Sequence, residues 1–309
     1  MKVICIVAGC YNEKGNIQQL YNRIKKLFET LPGYDFRLQL IDNKSTDGTR
    51  QELEQICASD PRVRAIFNSR NFGHVRSPYY NFLQAEGDLI FTTVSDLQVD
   101  PEIIAEFIKK HEAGADIVIG IKTGGKETFF FRQFRNLYYS LVSRLSEVPQ
   151  RKNFIGITLL TKKAADAIKA MHDPYPYFRG MVFEVGFNVA EVTYVQRSRV
   201  RGFTKNSFLT LYDVAMLGIA SHSKIPLRLM TMTGFFTAFC SLCMAVLYLA
   251  LKFLYWKSFR MGIAPLVIGL FFLGSIQLIF LGIIGEYIGF IFTKLENRPL
   301  VVEEKRINF

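Results

Sequence analysis

The chain has 309 residues, a formal net charge of +11 at pH 7, and hydrophobic residues at half of its positions. This length suits one domain of about 200 residues and a membrane module. The basic residues cluster between positions 122 and 228, ahead of two long apolar runs, with no recognition helix or base-stacking motif. This pattern argues against nucleic acid as a partner. The five cysteines have no metal or disulfide spacing, which excludes a zinc module or a disulfide framework.

The first 120 residues alternate between strand-like and helix-like segments. Strands are predicted at 3–8, 36–41, 63–67 and 89–93, and helices at 16–28, from a cap at Ser45 through 56, and between the last two strands. This alternation predicts an α/β domain, a parallel sheet with helices on both faces. Short polar segments follow the strands at 11–13, 42–45, 69–71 and 95–98. Because ligands gather at the carboxyl ends of such strands, we expect a nucleotide pocket there.

Residues 127–148 combine three consecutive phenylalanines at 129–131 with Arg132, Arg135 and Arg144. We predict an amphipathic helix lying in the membrane interface, with its arginines reaching headgroups or a lipid phosphate. An ordinary surface helix packed on the sheet is the alternative.

Two uncharged apolar runs, 229–251 and 261–285, each exceed the roughly 20 residues that a membrane-spanning helix needs. The short segment 254–260 between them predicts a hairpin in the lipid bilayer. Lys and Arg are more frequent outside the two apolar runs than in this segment, which predicts that both termini of this multi-pass membrane protein are cytoplasmic. We expect a cytoplasmic domain over 1–225, two transmembrane helices within 226–292 (about 229–254 and 261–286) and a cytoplasmic tail over 293–309.

Asp42 ends the second predicted strand, where a carboxylate can accept hydrogen bonds from a base or a ribose. For Asp47 we favour a structural role in a turn and the first turn of a helix. Asp96 follows the fourth strand and Gln98 lies two residues on, so both oxygens can converge on one Mg²⁺ or Mn²⁺ that bridges phosphates. A role for Asp96 in capping the helix at Pro101 is the alternative, and Asp100 could meet that role equally well.

Ordered motifs now point to a family. They are IVAGCYNE at 6–13, DNKSTDGT at 42–49, SRNFGH at 69–74, SDLQ at 95–98, GEYIG at 285–289 and NRPL at 297–300. Together with the apolar pair, the motifs resemble the inverting family 2 glycosyltransferases, in the polyprenyl-phosphate branch that includes dolichol-phosphate mannose synthases and bactoprenol glucosyltransferases of O-antigen modification. The resemblance implies a Rossmann-like domain of GT-A type that transfers sugar from a nucleotide-diphospho-sugar to a polyprenyl phosphate, with a divalent metal, Mg²⁺ or Mn²⁺.

The resemblance also implies roles for individual residues, by position. The catalytic residues would be Asp96, Gln98 and Lys205, with Asp96 and Gln98 holding the metal. The other implied positions are, for the donor, Tyr11, Glu13, Asp42, Lys44 and Arg70 and, for the acceptor phosphate, Arg132, Ser143 and Arg199. We expect Lys44 to supply a cation near the nucleotide and to replace part of the metal's charge.

The chain departs from the family pattern at several positions. The usual proline of the first motif is Gly9, the second acid of the nucleotide motif is Asn43, and the first acid of the metal motif is Val94. Gly156 stands where the family often has an acid near the acceptor. Two alternatives therefore stay open: transfer to a lipid-linked saccharide or another lipid, and a catalytically silent subunit that binds a nucleotide-sugar. The glycines of the second apolar run offer small packing surfaces, so a homo-oligomer is also open.

Overall fold

The computed structural model describes residues 1–123, 151–197, 216–217, 225–255, 263–296 and 298–309. The predicted interfacial helix at 127–148 lies outside the described residues. The same holds for four predicted site residues, Arg132, Ser143, Arg199 and Lys205.

The described residues form one mixed sheet, helices on its two faces, and two long C-terminal helices. The strands are β1 (Lys2–Cys10), β2 (Tyr34–Asp42), β3 (Val63–Asn68), β4 (Leu89–Val94), β5 (Ile117–Thr123), β6 (Phe154–Thr161), β7 (Val189–Val195) and β8 (Glu303–Ile307). The helices are α1 (Asn16–Phe28), α2 (Thr49–Ser59), α3 (Gly73–Leu83), α4 (Ile104–Glu112), α5 (Lys162–Lys169), α6 (Phe178–Glu184), α7 (Ile225–Leu254) and α8 (Ile263–Leu295). A short 3-10 helix, Pro101–Ile103, precedes α4.

Helix α1 and strand β1 form where the apolar spacing predicts them. In α1 the buried side chains include Ile17, Leu20, Tyr21 and Ile24, which recur at the three- and four-residue spacing of one helix face. Residues 4–8 of β1 are buried without a break, as expected for a strand covered on both faces.

The predicted start of α2 at Ser45 is wrong. The helix begins at Thr49, after Gly48 with φ 99°. Ser45 is instead part of the loop: its N–H donates to the Asp42 carboxylate at 3.1 Å, and its hydroxyl accepts from the Asn12 N–H at 2.8 Å.

The sheet is mixed rather than parallel throughout. Among the described residues its order is β7-β5-β6-β4-β1-β2-β3-β8. The four predicted strands, β1 to β4, are parallel as expected. By contrast, β6 lies antiparallel to β4, and β8 lies antiparallel to β3. The chain order reverses between β1 and β4, and in open α/β sheets ligands bind outside the strand ends at such a switch point.

Each face of the sheet is covered by its own hydrophobic cluster. One cluster packs α1, α2 and α4 against the sheet through Leu20, Leu53 and Phe107. The other packs α3, α5 and α6 on the opposite face and includes Phe82 and Ile168. The α/β fold class is thus confirmed, and the strand ends are held on a rigid, two-sided layer.

The residues after the apolar pair form the edge strand β8. Ile307 pairs with Ala65 of β3, and the Ser69 N–H donates to the Val302 carbonyl at 2.9 Å. Residues 303–307 therefore complete the sheet, whereas the sequence assigns 293–309 to a tail. The segment Glu-Glu-Lys-Arg-Ile is highly charged and lacks the apolar pattern of a strand, so a strand is not predicted here from the sequence.

Helices α7 and α8 are both long and apolar enough to cross a membrane. Their large side chains face outward: Phe235 is 74% exposed and Phe271 is 71% exposed. Soluble monomers rarely expose contiguous apolar surface of this kind, so a lipid environment is the physical expectation. Helix α8 runs to Leu295, past the predicted end near 286.

Asp60 provides a test of domain stability. It is 6% exposed and accepts hydrogen bonds from the Tyr21 hydroxyl at 2.9 Å and from Arg62 Nη2 at 2.8 Å. Hydrogen bonding to Arg62 lowers the pKa of Asp60 from 3.8 to about 2. A depressed carboxyl pKa stabilises the fold above the unfolded pKa, and this stability is lost as pH falls towards 2.

We expect Asp60→Asn to lower the free energy of unfolding by about 2 kcal/mol at neutral pH and to flatten its dependence on pH between about 4 and 2. The measurement is thermal unfolding in detergent over that pH range. Glu106→Gln, which removes an exposed carboxylate paired with Lys109 at 3.0 Å, is the control and should change little. An Asp60→Asn protein with the wild-type pH profile would contradict the assignment.

Candidate active site

The carboxyl ends of β1, β2 and β4 carry backbone that L-amino acids rarely adopt. Asn12, Lys44 and Leu97, one at each end, have φ values of 58°, 65° and 56°. Left-handed backbone at non-glycine residues is unfavourable and clusters at functional sites. These three loops are therefore the candidate site, at the switch point of the sheet.

The loops after β1 and β2 form one unit. Asn12 both donates its N–H to Ser45 Oγ at 2.8 Å and accepts the Thr46 N–H on its side-chain oxygen at 2.8 Å. The Glu13 N–H donates to Thr49 Oγ1 at 2.9 Å. The first and second sequence motifs thus lie side by side at the carboxyl ends of β1 and β2.

Asp42 is fully buried beneath this unit. Its carboxylate accepts the Ser45 N–H and lies 3.4 Å from Arg50 Nε. Burial raises the pKa of Asp42, and the bonds from Ser45 and the charge of Arg50 oppose that rise. The carboxylate anchors the loop, and its predicted contact with a base or a ribose stays a prediction.

The interpretation of Asp47 as a turn residue is confirmed. Its carboxylate accepts the Thr49 N–H at 3.0 Å and the Lys14 N–H at 3.1 Å. Asp47 therefore holds the two loops together, and no ligand role is required to explain it.

The other predicted donor residues lie at the same edge of the sheet. Lys44 Nζ is 2.8 Å from Glu304 Oε2 of β8, and Glu13 Oε2 accepts from Asn16 Nδ2 at 2.7 Å. Arg70 is exposed, with its guanidinium 4.2 Å from the centre of the Phe72 ring. Tyr11 is half-buried in the loop after β1.

Asn43 lies at the centre of a hydrogen-bond network. In the sequence it is recognisable only as a departure from the acid that the family usually has at this position. Its amide group donates to Asn71 Oδ1 at 2.8 Å and to the Gly73 carbonyl at 3.1 Å. Its oxygen accepts from the Phe72 N–H at 2.8 Å and from Asn68 Nδ2 at 3.1 Å. These four bonds use the full capacity of a primary amide. A carboxylate could not make the two donated bonds, so the asparagine suits this network and the acid of the family pattern does not.

Asp96 lies at the switch point, in the loop after β4. This loop is joined to β1 by the bond from Ser95 Oγ to the Gly9 carbonyl at 2.9 Å. Asp96 is 7% exposed and its Oδ1 accepts the Gln98 N–H at 3.2 Å. It therefore closes a turn within its own loop and does not cap the 3-10 helix.

Asp100 occupies the cap position, and its side chain makes no capping bond. It pairs instead with Arg23 and, at 2.8 Å, with Arg197 Nε. Neither Asp96 nor Asp100 therefore caps the 3-10 helix with its side chain.

The residues that follow β7 hold Gln98 in place, a contact that is not predicted from the sequence. Gln196 Nε2 donates to Gln98 Oε1 at 2.9 Å, and the Arg197 N–H donates to the Gln98 carbonyl at 3.0 Å. These bonds tie the predicted metal loop to the segment that leads towards Arg199 and Lys205.

The donor set around Asp96 fits a divalent cation only in part. The described residues contain no group of three His, Cys, Asp or Glu side chains that could hold a metal ion. Mg²⁺ is commonly bound through one or two carboxylates and substrate phosphates, so Asp96 and the Gln98 oxygen suit an ion that arrives with a diphosphate.

Two further departures have structural causes. A Cβ at Gly9 would lie 3.2 Å from Pro78 Cγ of α3, so the close packing of α3 on β1 favours glycine. Val94, in place of the first acid of the metal motif, packs against the hydrophobic cluster that contains Phe91. The missing acid is thereby replaced by apolar contact.

A cavity of about 400 Å³ adjoins α8. It is lined in part by Tyr175, Leu217 and the GEYIG segment with Gly285, Glu286 and Gly289. Nearby, Lys294 Nζ at the end of α8 lies 3.1 Å from Asp173 Oδ2. The apolar helix is thus fastened to the loop that precedes α6.

Comparison with known proteins identifies the family. The model of Glycosyl transferase family 2 matches residues 5–179, which include every described site loop. The chain belongs to glycosyl transferase family 2. It is 32% identical to the uncharacterized glycosyltransferase YkcC of Bacillus subtilis, over 97% of this chain and 93% of that protein. It is 29% identical to the SfII prophage-derived bactoprenol glucosyl transferase of Shigella flexneri, over 98% of this chain and 97% of that protein.

Solved structures are more distant from this glycosyltransferase. The mannosyltransferase PcManGT from Pyrobaculum calidifontis, in complex with GDP-Man and Mn²⁺, is 12% identical with a TM-score of 0.46 and covers 96% of this chain and 88% of its own. Glucosyl-3-phosphoglycerate synthase from Mycobacterium tuberculosis, in complex with Mn²⁺ and UDP, is 16% identical with a TM-score of 0.46 and covers 71% of this chain and 76% of its own.

We expect Asn43→Asp, which restores the acid that is usual in the family, to damage this glycosyltransferase. The change removes two donated bonds and brings a carboxylate towards Asn71 Oδ1 and the Gly73 carbonyl, so it should cost about 2 to 4 kcal/mol of stability. Thermal unfolding in detergent measures the loss. Asn22→Asp, on the exposed face of α1, is the matched control. Equal stability of wild type and Asn43→Asp would show that the four bonds are unimportant.

Proposed function

We propose that this glycosyltransferase transfers a sugar from a nucleotide-diphospho-sugar to a polyprenyl phosphate of the undecaprenyl type, at the cytoplasmic face of the inner membrane and with inversion at the anomeric carbon. The observation that carries the proposal is the connection of a strand-end cleft to two apolar helices through a single sheet. Relatives that are named bactoprenol glucosyl transferases, matched over nearly their whole length, support the acceptor class. O-antigen modification, the setting that the sequence resemblance implies, is part of the proposal.

The chain path supports a hairpin in the membrane. The chain leaves the sheet domain before α7, and after α8 it returns to the same sheet as β8. Two crossings satisfy this path, because they place both outer helix ends on the side of the domain. The positive residues outside the apolar pair then assign that side to the cytoplasm.

The chemistry requires two anions to meet. A phosphate monoester is already a competent nucleophile at pH 7, so no strong side-chain base is needed, and catalysis comes mainly from position and charge. A divalent cation, when bound at Asp96 and Gln98, would offset the charge of the diphosphate leaving group. Lys205, Arg132, Ser143 and Arg199 are proposed to hold the phosphates of donor and acceptor.

Gly156 is the basis for a second candidate function with a different acceptor. It has φ 101° in β6, and its carbonyl accepts the Thr92 hydroxyl at 2.7 Å. The family often places an acid here near the acceptor. Its absence favours, as the second candidate, transfer to a lipid-linked saccharide or another lipid acceptor.

One assay separates the candidates. Purified full-length protein in detergent is given labelled UDP- and GDP-sugars and undecaprenyl phosphate, with and without Mn²⁺. We expect label in a lipid product made from the monophosphate. Label that appears only with a saccharide-lipid supports the second candidate, and donor binding without turnover indicates a silent subunit.

We expect Asp96→Asn to abolish transfer, because it removes the carboxylate at the switch point. The measurement is label in the lipid product. Asp166→Asn, an exposed residue of α5, is the matched control and should retain the wild-type rate. A near-normal rate for Asp96→Asn would remove Asp96 from the metal role.

Arg132→Ala and Lys205→Ala are expected to raise the KM of the acceptor or the donor about ten-fold, because each removes one charged hydrogen bond to a phosphate. Steady-state kinetics with each substrate varied in turn gives the two KM values. Lys110→Ala, an exposed residue of α4, is the control. Unchanged kinetics in both variants would contradict the assignments.

A further inference from the structure

Glu304, in the strand that follows the apolar helices, reaches the loop of the predicted donor site. Its Oε2 lies 2.8 Å from Lys44 Nζ and 3.1 Å from Arg50 Nη2. The three residues come from three elements: β8, the loop after β2, and α2. Glu304 is separated from Lys44 by 260 positions in sequence.

A β-bulge directs Glu304 towards this loop. In the antiparallel ladder Phe67 pairs with Lys305 and Asn68 pairs with Glu303, so Glu304 is the extra residue between two adjacent pairs. Bulges are over-represented beside active sites, where they change the direction of a side chain. The position of Glu304 is therefore set by the sheet.

The contact continues into the buried end of β2. Arg50 Nε lies 3.4 Å from Asp42 Oδ2, and the Arg50 guanidinium lies 5.1 Å from the centre of the Phe67 ring. The network thus runs from the fully buried Asp42 through Arg50 and Glu304 to Lys44. It contains two carboxylates and two cations, so its formal charge is balanced.

We propose that Glu304 is a positioning residue of the donor site, which holds Lys44 and Arg50 where they face the diphosphate or ribose of the nucleotide. The proposal rests on the proposed function, since it presumes a nucleotide-sugar donor. It makes the C-terminal strand part of the donor site.

The sign of the effect distinguishes positioning from simple charge. Removal of a carboxylate beside an anionic ligand would, by electrostatics alone, strengthen binding. Loss of a fixed position for Lys44 and Arg50 weakens it. We therefore expect Glu304→Gln to raise the Kd of the bound nucleotide about five-fold, the size of an exposed charged contact. The donor KM should rise equally, with kcat unchanged at saturating donor.

The experiment uses the full-length protein in detergent, with UDP and GDP as probes in calorimetry. Glu304→Asp keeps the charge and shortens the reach, so under positioning it should also weaken binding. Lys305→Gln is the matched control, because Lys305 lies on the same strand and pairs with Glu54 at 3.0 Å, away from the loop. In a double-mutant cycle, Lys44→Gln and Glu304→Gln should be non-additive.

Each outcome decides something. The proposal is supported if the wild-type protein binds UDP or GDP, both Glu304 variants bind it about five-fold more weakly, and Lys305→Gln binds it as tightly as the wild type. Equal or tighter binding by Glu304→Gln overturns positioning and leaves the proposed function intact. Wild-type protein that binds neither nucleotide overturns the proposed donor class, and this inference with it.

Discussion

The pairing of β8 with β3 is the constraint on which the arrangement of the protein depends. The chain leaves its sheet, forms two apolar helices, and then returns to the same sheet over Glu303–Ile307. The outer end of α8 is thereby tied to the sheet, and Lys294 near that end pairs with Asp173 at 3.1 Å. In the proposed membrane arrangement, this tie holds the strand-end cleft at a fixed side of the bilayer, where a water-soluble donor and a lipid acceptor can meet.

The cleft itself is built from hydrogen bonds between loops, which involve amide and hydroxyl groups as well as the carboxylate of Asp47. Asn43 joins the ends of β2 and β3, Asn12 joins those of β1 and β2, and Ser95 joins β4 to β1. Neutral amide and hydroxyl groups can hold loops without the mutual repulsion of several carboxylates. Under the proposed function Asp96 is the carboxylate of the metal motif, and the phosphates of the donor would complete the cation site, so metal and donor would bind together.

The departures from the family pattern fit this picture residue by residue. Gly9 makes room for Pro78, Val94 packs against the hydrophobic core, and Asn43 donates two bonds that an acid could not. Each replaces a feature of the family with a local contact in this chain. The two-sided hydrophobic core keeps the backbone of the strand ends in place while these side chains differ.

The sequence by itself determined the α/β alternation, the helix at 16–28, the two apolar helices and the motif residues of the family, because hydrophobic period, apolar length and motif order are local properties. Only the tertiary structure decided the antiparallel β6 and β8, the roles of Asn43 and Gln196, and the contact of Glu304 with Lys44. The reason is physical. Strand pairing and long-range hydrogen bonds depend on which segments meet in space. A charged strand such as Glu303–Ile307 has no apolar pattern from which its partner strand could be predicted.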